Sequence, residues 1–332
     1  MSPHVPVMLP DVLEALAPQP GTWIADATFG AGGYTAAILE RGAHVLAFDR
    51  DPTAIAAGRE RFAGHAHLDF IEAPFDHLGD EVSDRRPEGL DGVVFDLGVS
   101  SMQLDRSERG FSFMRNGPLD MRMGEGASAE ELVNTADRDD LKTIIWQYGE
   151  DRRAGALAAA IVREREKARI TTTEALAKLA GQPRATDKIH PATRMFQAIR
   201  MFVNDELGQL VRALIAAEGA LKEGGRLVVV TFHSLEDRIV KRFFAAASGS
   251  EGGGSRHRPE ILRAPPSLKL ISRKAVAASI EEAQDNPRAR SAKMRSAIRT
   301  SAPPTPWTDD RLRKLGAPAL VFSTLQQTWS SS

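Results

Sequence analysis

Cysteine is absent from all 332 residues, which excludes disulfides, thiolate metal sites and thiol nucleophiles and fits a reducing compartment. A long apolar run is also missing. The longest weakly polar stretch, Ala154–Val162, is far short of the ~18 residues a membrane span needs. The first residues, MSPHVPVMLPDVLEAL, have no basic n-region and carry Asp11 and Glu14, so they do not read as a signal peptide. A cytoplasmic protein without a membrane partner is expected. Neither sign of charge dominates: 43 Lys and Arg face 44 Asp and Glu, for a net charge of −1. Any surface for a polyanion must therefore be a local patch. The scattered histidines show no ligand spacing, and no metal is expected.

With 42% hydrophobic and 26% charged residues, the composition is that of an ordinary globular chain, and the length corresponds to about two domains. The first hundred residues alternate between strand-like and helix-like runs. Trp23–Thr28, His44–Asp49, Leu68–Ala73 and Gly92–Leu97 read as buried strands. Ala31–Glu40 has helical composition, and Asp51–Phe62 opens with a capping Asp followed by Pro, a helix start. Strands separated by helices predict a parallel α/β sheet covered on both faces.

From about Ser128 to Ala180 the chain is helical and charged, with apolar residues at three- and four-residue spacing, and helical character continues through Pro191–Leu221. Gly225–Phe232 then resumes the strand signal, followed by strand-like runs around Leu270–Ala277 and Ala292–Thr300. This pattern predicts one α/β domain, residues 1–108 and 206–332, interrupted by an all-helical insertion over 109–205, a candidate RNA-recognition domain. Ser248–Ser255 (SGSEGGGS) reads as a flexible loop.

Asp26-Ala-Thr-Phe-Gly-Ala-Gly-Gly33 lies where the first strand feeds a helix. Glycines there admit a ligand close to the backbone, and the helix start offers N–H donors; a tight turn alone would also use them. The dinucleotide fingerprint G-x-G-x-x-G would need glycine at position 35, which is Thr35. Asp49 ends the second strand, where a carboxylate can accept the ribose hydroxyls of an adenosine group. Asp26 and Asp96 would repel a pyrophosphate but attract the cationic amino group of S-adenosylmethionine. Asp49, Phe75 and Asp96 all fall at the carboxyl ends of successive strands, where open α/β sheets bind ligands.

The chain resembles the bacterial small-subunit ribosomal RNA methyltransferase H family. The matching stretches include HVPVML (4–9), DATFGAGGYT (26–35), AFDRDPTAI (48–55), FDLGVSSMQLD (95–105) and RGFSF (109–113). Further on come PLDMRM (118–123), PATRMFQAIRMFVNDEL (191–207), TFHSLEDRIVK (231–241) and NPRARSAKMR (286–295). The resemblance implies a class I S-adenosylmethionine-dependent methyltransferase sheet, Rossmann-like, with an inserted helical domain. It implies methylation of the exocyclic N4 of a decoding-centre cytidine in 16S ribosomal RNA of the small ribosomal subunit. The cofactor contacts it implies are Gly32, Gly33, Tyr34, Asp49, Phe75, Asp96 and Gln103. Many members carry His where this chain has Tyr34, which leaves a backbone contact there intact.

Methyl transfer from a sulfonium is an in-line displacement in which positioning supplies most of the catalysis. A cytosine amine is a poor nucleophile, and an acceptor for its N–H would help localise the lone pair. The Asp-Pro-Pro-aromatic segment many amino-methyltransferases use is replaced here by Asp96-Leu97-Gly98-Val99-Ser100-Ser101. Candidates for the acceptor are Asp96, Ser100, Ser101 and His233, and the residues do not choose among them. His233 opens a segment that reads equally as a helix start, with Ser234 as cap and Asp237 in its box. For RNA, Arg256–Arg299 holds eleven basic and four acidic residues, a local balance of +7. Arg109, Arg194 and Arg200 are further candidates. The rival readings are an NAD-dependent oxidoreductase and an RNA-binding module on a degenerate methyltransferase fold.

Overall fold

The computed structural model describes residues 6–98, 107–183, 189–250, 265–286 and 289–318. The chain divides into two compact units, Met1–Gly98 with Gln209–Ala317, and Val99–Gly208.

The first unit is built on the alternation expected from the sequence. Strands β1 (Trp23–Asp26), β2 (His44–Asp49), β3 (Leu68–Glu72), β4 (Leu90–Asp96) and β5 (Leu221–Thr231) pair side by side in parallel. Helix α2 (Gly33–Leu39) follows β1, α3 (Pro52–Arg61) follows β2, and α4 (Leu78–Arg85) precedes β4. Asp51 caps α3 as its sequence predicts, accepting from the Thr53 N–H at 3.0 Å, with Pro52 in the first turn. The strands' near-continuous apolar runs are buried: Val45, Leu46, Ala47 and Phe48 in β2, and Val93, Val94 and Phe95 in β4.

The spatial strand order is β3-β2-β1-β4-β5-β8-β6, with β8 (Lys293–Arg299) antiparallel to both β5 and β6 (Leu268–Leu270). The order reverses between β1 and β4, the switch point at which open α/β sheets take ligands. Two features depart from expectation. The run read as one strand at Leu270–Ala277 is split into β6 and the two-residue β7 (Val276–Ala277), each pairing with β8. The charged, polar stretch between them, Ser272-Arg-Lys274, is exposed and breaks the ladder. A helix the sequence reading did not assign, α1 (Leu9–Leu16), buries Val12, Leu13, Ala15 and Leu16. Its Pro10 in the first turn was the available signal.

The second unit is helical: Ala129–Thr135, Arg138–Gly149, Ala154–Arg165, Thr173–Lys178 and Thr193–Val203. Ser128, Asp137 and Thr172 cap three of these helices with side-chain oxygens. Leu132, Leu141, Ile145, Tyr148, Ile161 and Phe196 are among the side chains that form its core. Buried Asn204 donates to the Met121 carbonyl at 2.8 Å and accepts from the Met123 N–H at 2.7 Å, pinning that loop to the last of these helices.

Candidate functional site

Parallel pairing brings the last residues of β1, β2 and β4 to one edge of the sheet, so Asp26, Asp49 and Asp96 share it. Each is held differently. Asp26 is fully buried, and its Oδ2 accepts from Thr35 Oγ1 at 2.7 Å. Burial pushes its carboxyl up to about 6 although the Thr35 hydroxyl favours the charged form. Thr35, which the sequence offered only as a departure from the dinucleotide fingerprint, is thus a specific partner of the β1 carboxylate.

Asp49 accepts two backbone N–H groups, Gly30 at 2.8 Å on Oδ2 and Asp51 at 2.8 Å on Oδ1. It therefore ties the glycine turn to the β2 terminus. An ionised carboxylate has about four lone-pair sites, so two remain for further donors such as ribose hydroxyls. Burial raises this carboxyl above its ordinary value too.

Asp96 differs from both. Its N–H donates to Thr28 Oγ1 at 2.6 Å, but its side-chain Oδ1 is buried without a hydrogen-bond partner among the described residues. Burial, reinforced by the neighbouring Asp26 and Glu236 charges, pushes its carboxyl up to about 8. A buried acceptor left open in this way is expected to meet a donor or cation from a ligand. The charged groups that act on Asp96 are acids, surroundings that suit the ammonium of a methionine moiety and oppose a pyrophosphate.

The glycine turn is tighter than a simple opening for a ligand. Gly30 and Gly32 have φ of +53° and +75°, the left-handed region glycine favours. A Cβ on Gly32 would lie 2.6 Å from the Phe29 ring and 2.9 Å from the Phe62 ring, and one on Gly33 would clash with Pro6 Cγ. The missing side chains are therefore demanded by the protein's own packing. Tyr34 is buried, and its hydroxyl donates to the Val7 carbonyl; burial raises its phenol well above the ordinary value. Its side chain thus anchors the N-terminal segment. Phe75 lies beyond β3 at the start of a short 3₁₀ turn, with its ring edge-on to Phe95 at 5.8 Å. Gln103, Ser100 and Ser101 lie outside the described residues.

His233 is the cap of the helix Ser234–Ala247, one residue earlier than expected. The Glu236 N–H donates to His233 Nδ1 at 3.4 Å, while Glu236 Oε2 accepts from the Phe232 and His233 N–H groups at 2.9 and 3.4 Å. The box is His233–Glu236, which corrects the Ser234–Asp237 pairing; Asp237 instead pairs with Arg295 and Lys293. With Nδ1 turned to a backbone donor, the ring proton belongs on Nε2, which lies 2.9 Å from Glu236 Oε1 without hydrogen-bond alignment. That tautomer leaves His233 without a free lone pair for a substrate proton. Glu236, which the sequence reading did not single out, is 2% exposed.

The basic segment resolves into two kinds of residue. Arg299 is buried and donates to the carbonyls of Glu218, Ser267, Thr300 and Ala302, so it is a structural cation and not a phosphate contact. Arg295 and Lys293 are paired with Asp237. Lys269, Arg273, Lys274 and Arg290 remain exposed, and Arg256, Arg258, Arg263 and Arg288 lie outside the described residues. In the helical unit Arg200 forms a two-bond ion pair with Glu206 at 2.7 and 2.8 Å, and Arg194 donates to the Glu150 carbonyl. Arg109 lies over the Phe111 ring and donates to the Arg122 carbonyl.

A mainly parallel sheet of this strand order, with one reversed strand near its edge and acids along its carboxyl end, defines a class I methyltransferase that uses S-adenosylmethionine. Residues 1–300 match the MraW methylase family, and the chain belongs to that family. It is 57% identical over 304 residues to ribosomal RNA small subunit methyltransferase H of Rhizobium rhizogenes, covering 90% of this chain and 88% of that one. The proteins of that name from Sinorhizobium fredii and Agrobacterium fabrum are 57% and 54% identical over 305 residues, with the same coverage.

Proposed function

We propose that the chain transfers the methyl group of S-adenosylmethionine to the exocyclic N4 of a decoding-centre cytidine in 16S ribosomal RNA, acting on the small ribosomal subunit in the cytoplasm. The observation that carries this reading is the row of carboxylates at the switch point, with Asp26 buried and an open, buried acceptor at Asp96 Oδ1. When bound, the cofactor supplies an electrophilic methyl group on a sulfonium. Asp49 would take the ribose hydroxyls with its remaining lone pairs, and the Gly32–Tyr34 backbone and Phe75 would line the nucleoside. Asp96 would face the cationic methionine end, and Gln103 completes the set that the family resemblance implies.

No described helix is long and apolar enough to cross a membrane. Within the basic segment, exposed Lys269, Arg273, Lys274 and Arg290 are described cations free of the fold's core and able to meet phosphates. A chain without cysteine has no thiolate to add to a pyrimidine ring, so a cytidine target leaves the exocyclic nitrogen or a ribose hydroxyl as methyl acceptor.

The deciding experiment is methyl transfer from tritiated cofactor to purified small subunits, followed by nucleoside analysis. Label in N4-methylcytidine is expected, and none on subunits with uridine at the target. Label in a ribose-methylated nucleoside would overturn the assignment. Binding of NADH in place of S-adenosylmethionine would restore the oxidoreductase reading. Cofactor binding without transfer would favour the RNA-binding module.

A further inference from the structure

The helix Ser234–Ala247 starts at the carboxyl edge of the sheet, its cap His233 lying two residues beyond the end of β5. Its inner face buries Leu235, Ile239, Val240, Phe243 and Phe244. Arg238, Lys241 and Arg242 fall on the other face, at the three- and four-residue spacing that makes neighbours on a helix surface. At about 1.5 Å of rise per residue, Arg242 lies roughly 12 Å along the axis from Ser234. A line of cations therefore leads away from the edge where the strand-end carboxylates gather.

The chain beyond residue 300, outside the family match, brings a second set of cations to the same place. Trp307 stacks on Phe243 and Leu315 is buried, which fixes the short helix Asp309–Lys314 on the first unit. That helix carries Arg311, Arg313 and Lys314 in its last turn. Arg242 Nη1 donates to the Lys314 carbonyl at 3.3 Å, and a Cβ on Gly316 would clash with the Arg242 guanidinium and lie 3.6 Å from Arg238 Cδ. Six cations thus meet Asp309 and Asp310, of which Asp310 already pairs with Lys314. Asp237 on the longer helix is taken by Arg295 and Lys293. Like charges gathered in this way repel and lower stability. Arg242 offsets part of that by closing the carbonyl end of the short helix. Lys241 and Arg313 have no such employment: both are exposed, and neither enters an ion pair among the described residues.

We propose that this corner docks the phosphate backbone of the RNA beside the target nucleotide, with Lys241 and Arg313 as its principal phosphate contacts. The inference rests on the RNA methyltransferase reading above and deepens it by naming where the backbone lies. Charge complementarity selects the occupant. The whole chain stands at −1, so a concentration of cations here is local and not part of a general basic coat. An RNA strand whose target base reaches the carboxyl edge carries its neighbouring phosphates along the same helix, and cations on both helices would neutralise them and release their counterions.

Lys241→Gln combined with Arg313→Gln tests this in the full chain, since both side chains face solvent. The melting temperature and the affinity for S-adenosylmethionine should match the wild type. Filter binding of protein-free 16S ribosomal RNA over a salt series should give a slope of log affinity against log salt shallower by about 0.7–0.9 per lost contact. KM for small subunits should rise severalfold with kcat unchanged, and Lys241→Arg with Arg313→Lys should keep both at wild-type values. Arg59→Gln with Arg85→Gln, which removes the same charge from other exposed positions of the first unit, should change neither readout. A wild-type slope or a wild-type KM in the Gln variant would overturn the proposal, and so would an equal shift in the control. A higher KM on subunits without a change in the RNA slope would put a ribosomal protein at this corner and overturn it too. Failure of the wild type to bind protein-free RNA at low salt has the same consequence. Methylation of N4 by the wild type leaves the methyltransferase reading standing whatever the variants do. Its absence would sink that reading, while the RNA slope still reports on the corner.

Discussion

Thr35 Oγ1 and Asp26 Oδ2 meet at 2.7 Å inside the protein, the first turn of α2 stabilising the carboxylate that ends β1. The residue that breaks the dinucleotide pattern is thus the donor that lets an acid sit buried at the switch point. Removing it should be costly. Thr35→Val leaves a buried acceptor short of a partner, a loss of about 1–3 kcal/mol, whereas Thr35→Ser should retain most of the stability. Urea denaturation of both variants checks this, and equal stability would show the bond to be dispensable.

Asp49 serves two purposes at once, bracing the Gly30 turn and offering its remaining lone pairs outward. Asp49→Ala should therefore weaken S-adenosylmethionine binding by tenfold or more, since charge-assisted hydrogen bonds contribute ~1.5–3 kcal/mol each. Calorimetric titration at constant salt measures it; wild-type affinity would remove Asp49 from the site.

The raised carboxyls predict a direction for stability against pH. An acid whose folded value lies above its unfolded one holds a proton in the native state after the unfolded chain has released it, so stability declines as pH rises between the two values. For Asp26 that window runs from the ordinary 3.8 to about 6, and for Asp96 from 3.8 to about 8. Asp96→Asn should accordingly be more stable than the wild type at pH 8, with the advantage shrinking toward pH 5. Thermal melts at both pH values test the sign, and a constant difference would contradict it.

The segment beyond residue 300, where the family match ends, packs back onto the first unit. Buried Glu218 accepts from Thr305 N–H at 2.7 Å and Trp307 Nε1 at 2.8 Å, and the Trp307 ring stacks on Phe243 at 4.7 Å. Ending the chain at Thr300 would strip two donors from a buried carboxylate, so a loss of about 3 kcal/mol or more is expected. Trp307→Phe, which keeps a ring on Phe243, should cost less. Chemical denaturation of the two proteins compares them.

Within the basic segment the structure separates cations that hold the fold from cations that face solvent. Arg299→Ala should destabilise the protein, because four carbonyls lose their donor. The triple change of Lys269, Arg273 and Lys274 to Ala should leave the melting temperature nearly unchanged. It should also flatten the salt dependence of RNA binding by roughly 0.7–0.9 in slope per lost phosphate contact. An unchanged slope would place the RNA elsewhere.

Much of the architecture was legible in the residues themselves. The strand runs are short, apolar and separated by helices, so local patterning alone predicts a parallel sheet, and His44–Asp49 falls within the bounds the sequence set. The row of acids at strand ends was legible for the same reason, since each terminates its own apolar run. The split of β6 from β7 was harder to see because runs of two and three residues carry almost no periodicity. At His233 the motif was visible but its register was not. Ser, His, Glu and Asp occur together there, and only the backbone conformation selects which residue stands before the first turn.

By itself the sequence determined the class of fold, the order of its strands along the chain and the motifs of its family, because those depend on short-range pattern. The tertiary structure alone decided which charges are buried and what meets them. Thr35 reaches Asp26 across nine residues, Arg299 reaches the Glu218 carbonyl across 81, and the Met8 N–H reaches Glu282 across 274. Asp96 looks like any strand-end acid until β1 and the helix after β5 place Asp26 and Glu236 beside it. Desolvation and charge coupling depend on separation in space, and proximity along the chain does not encode them.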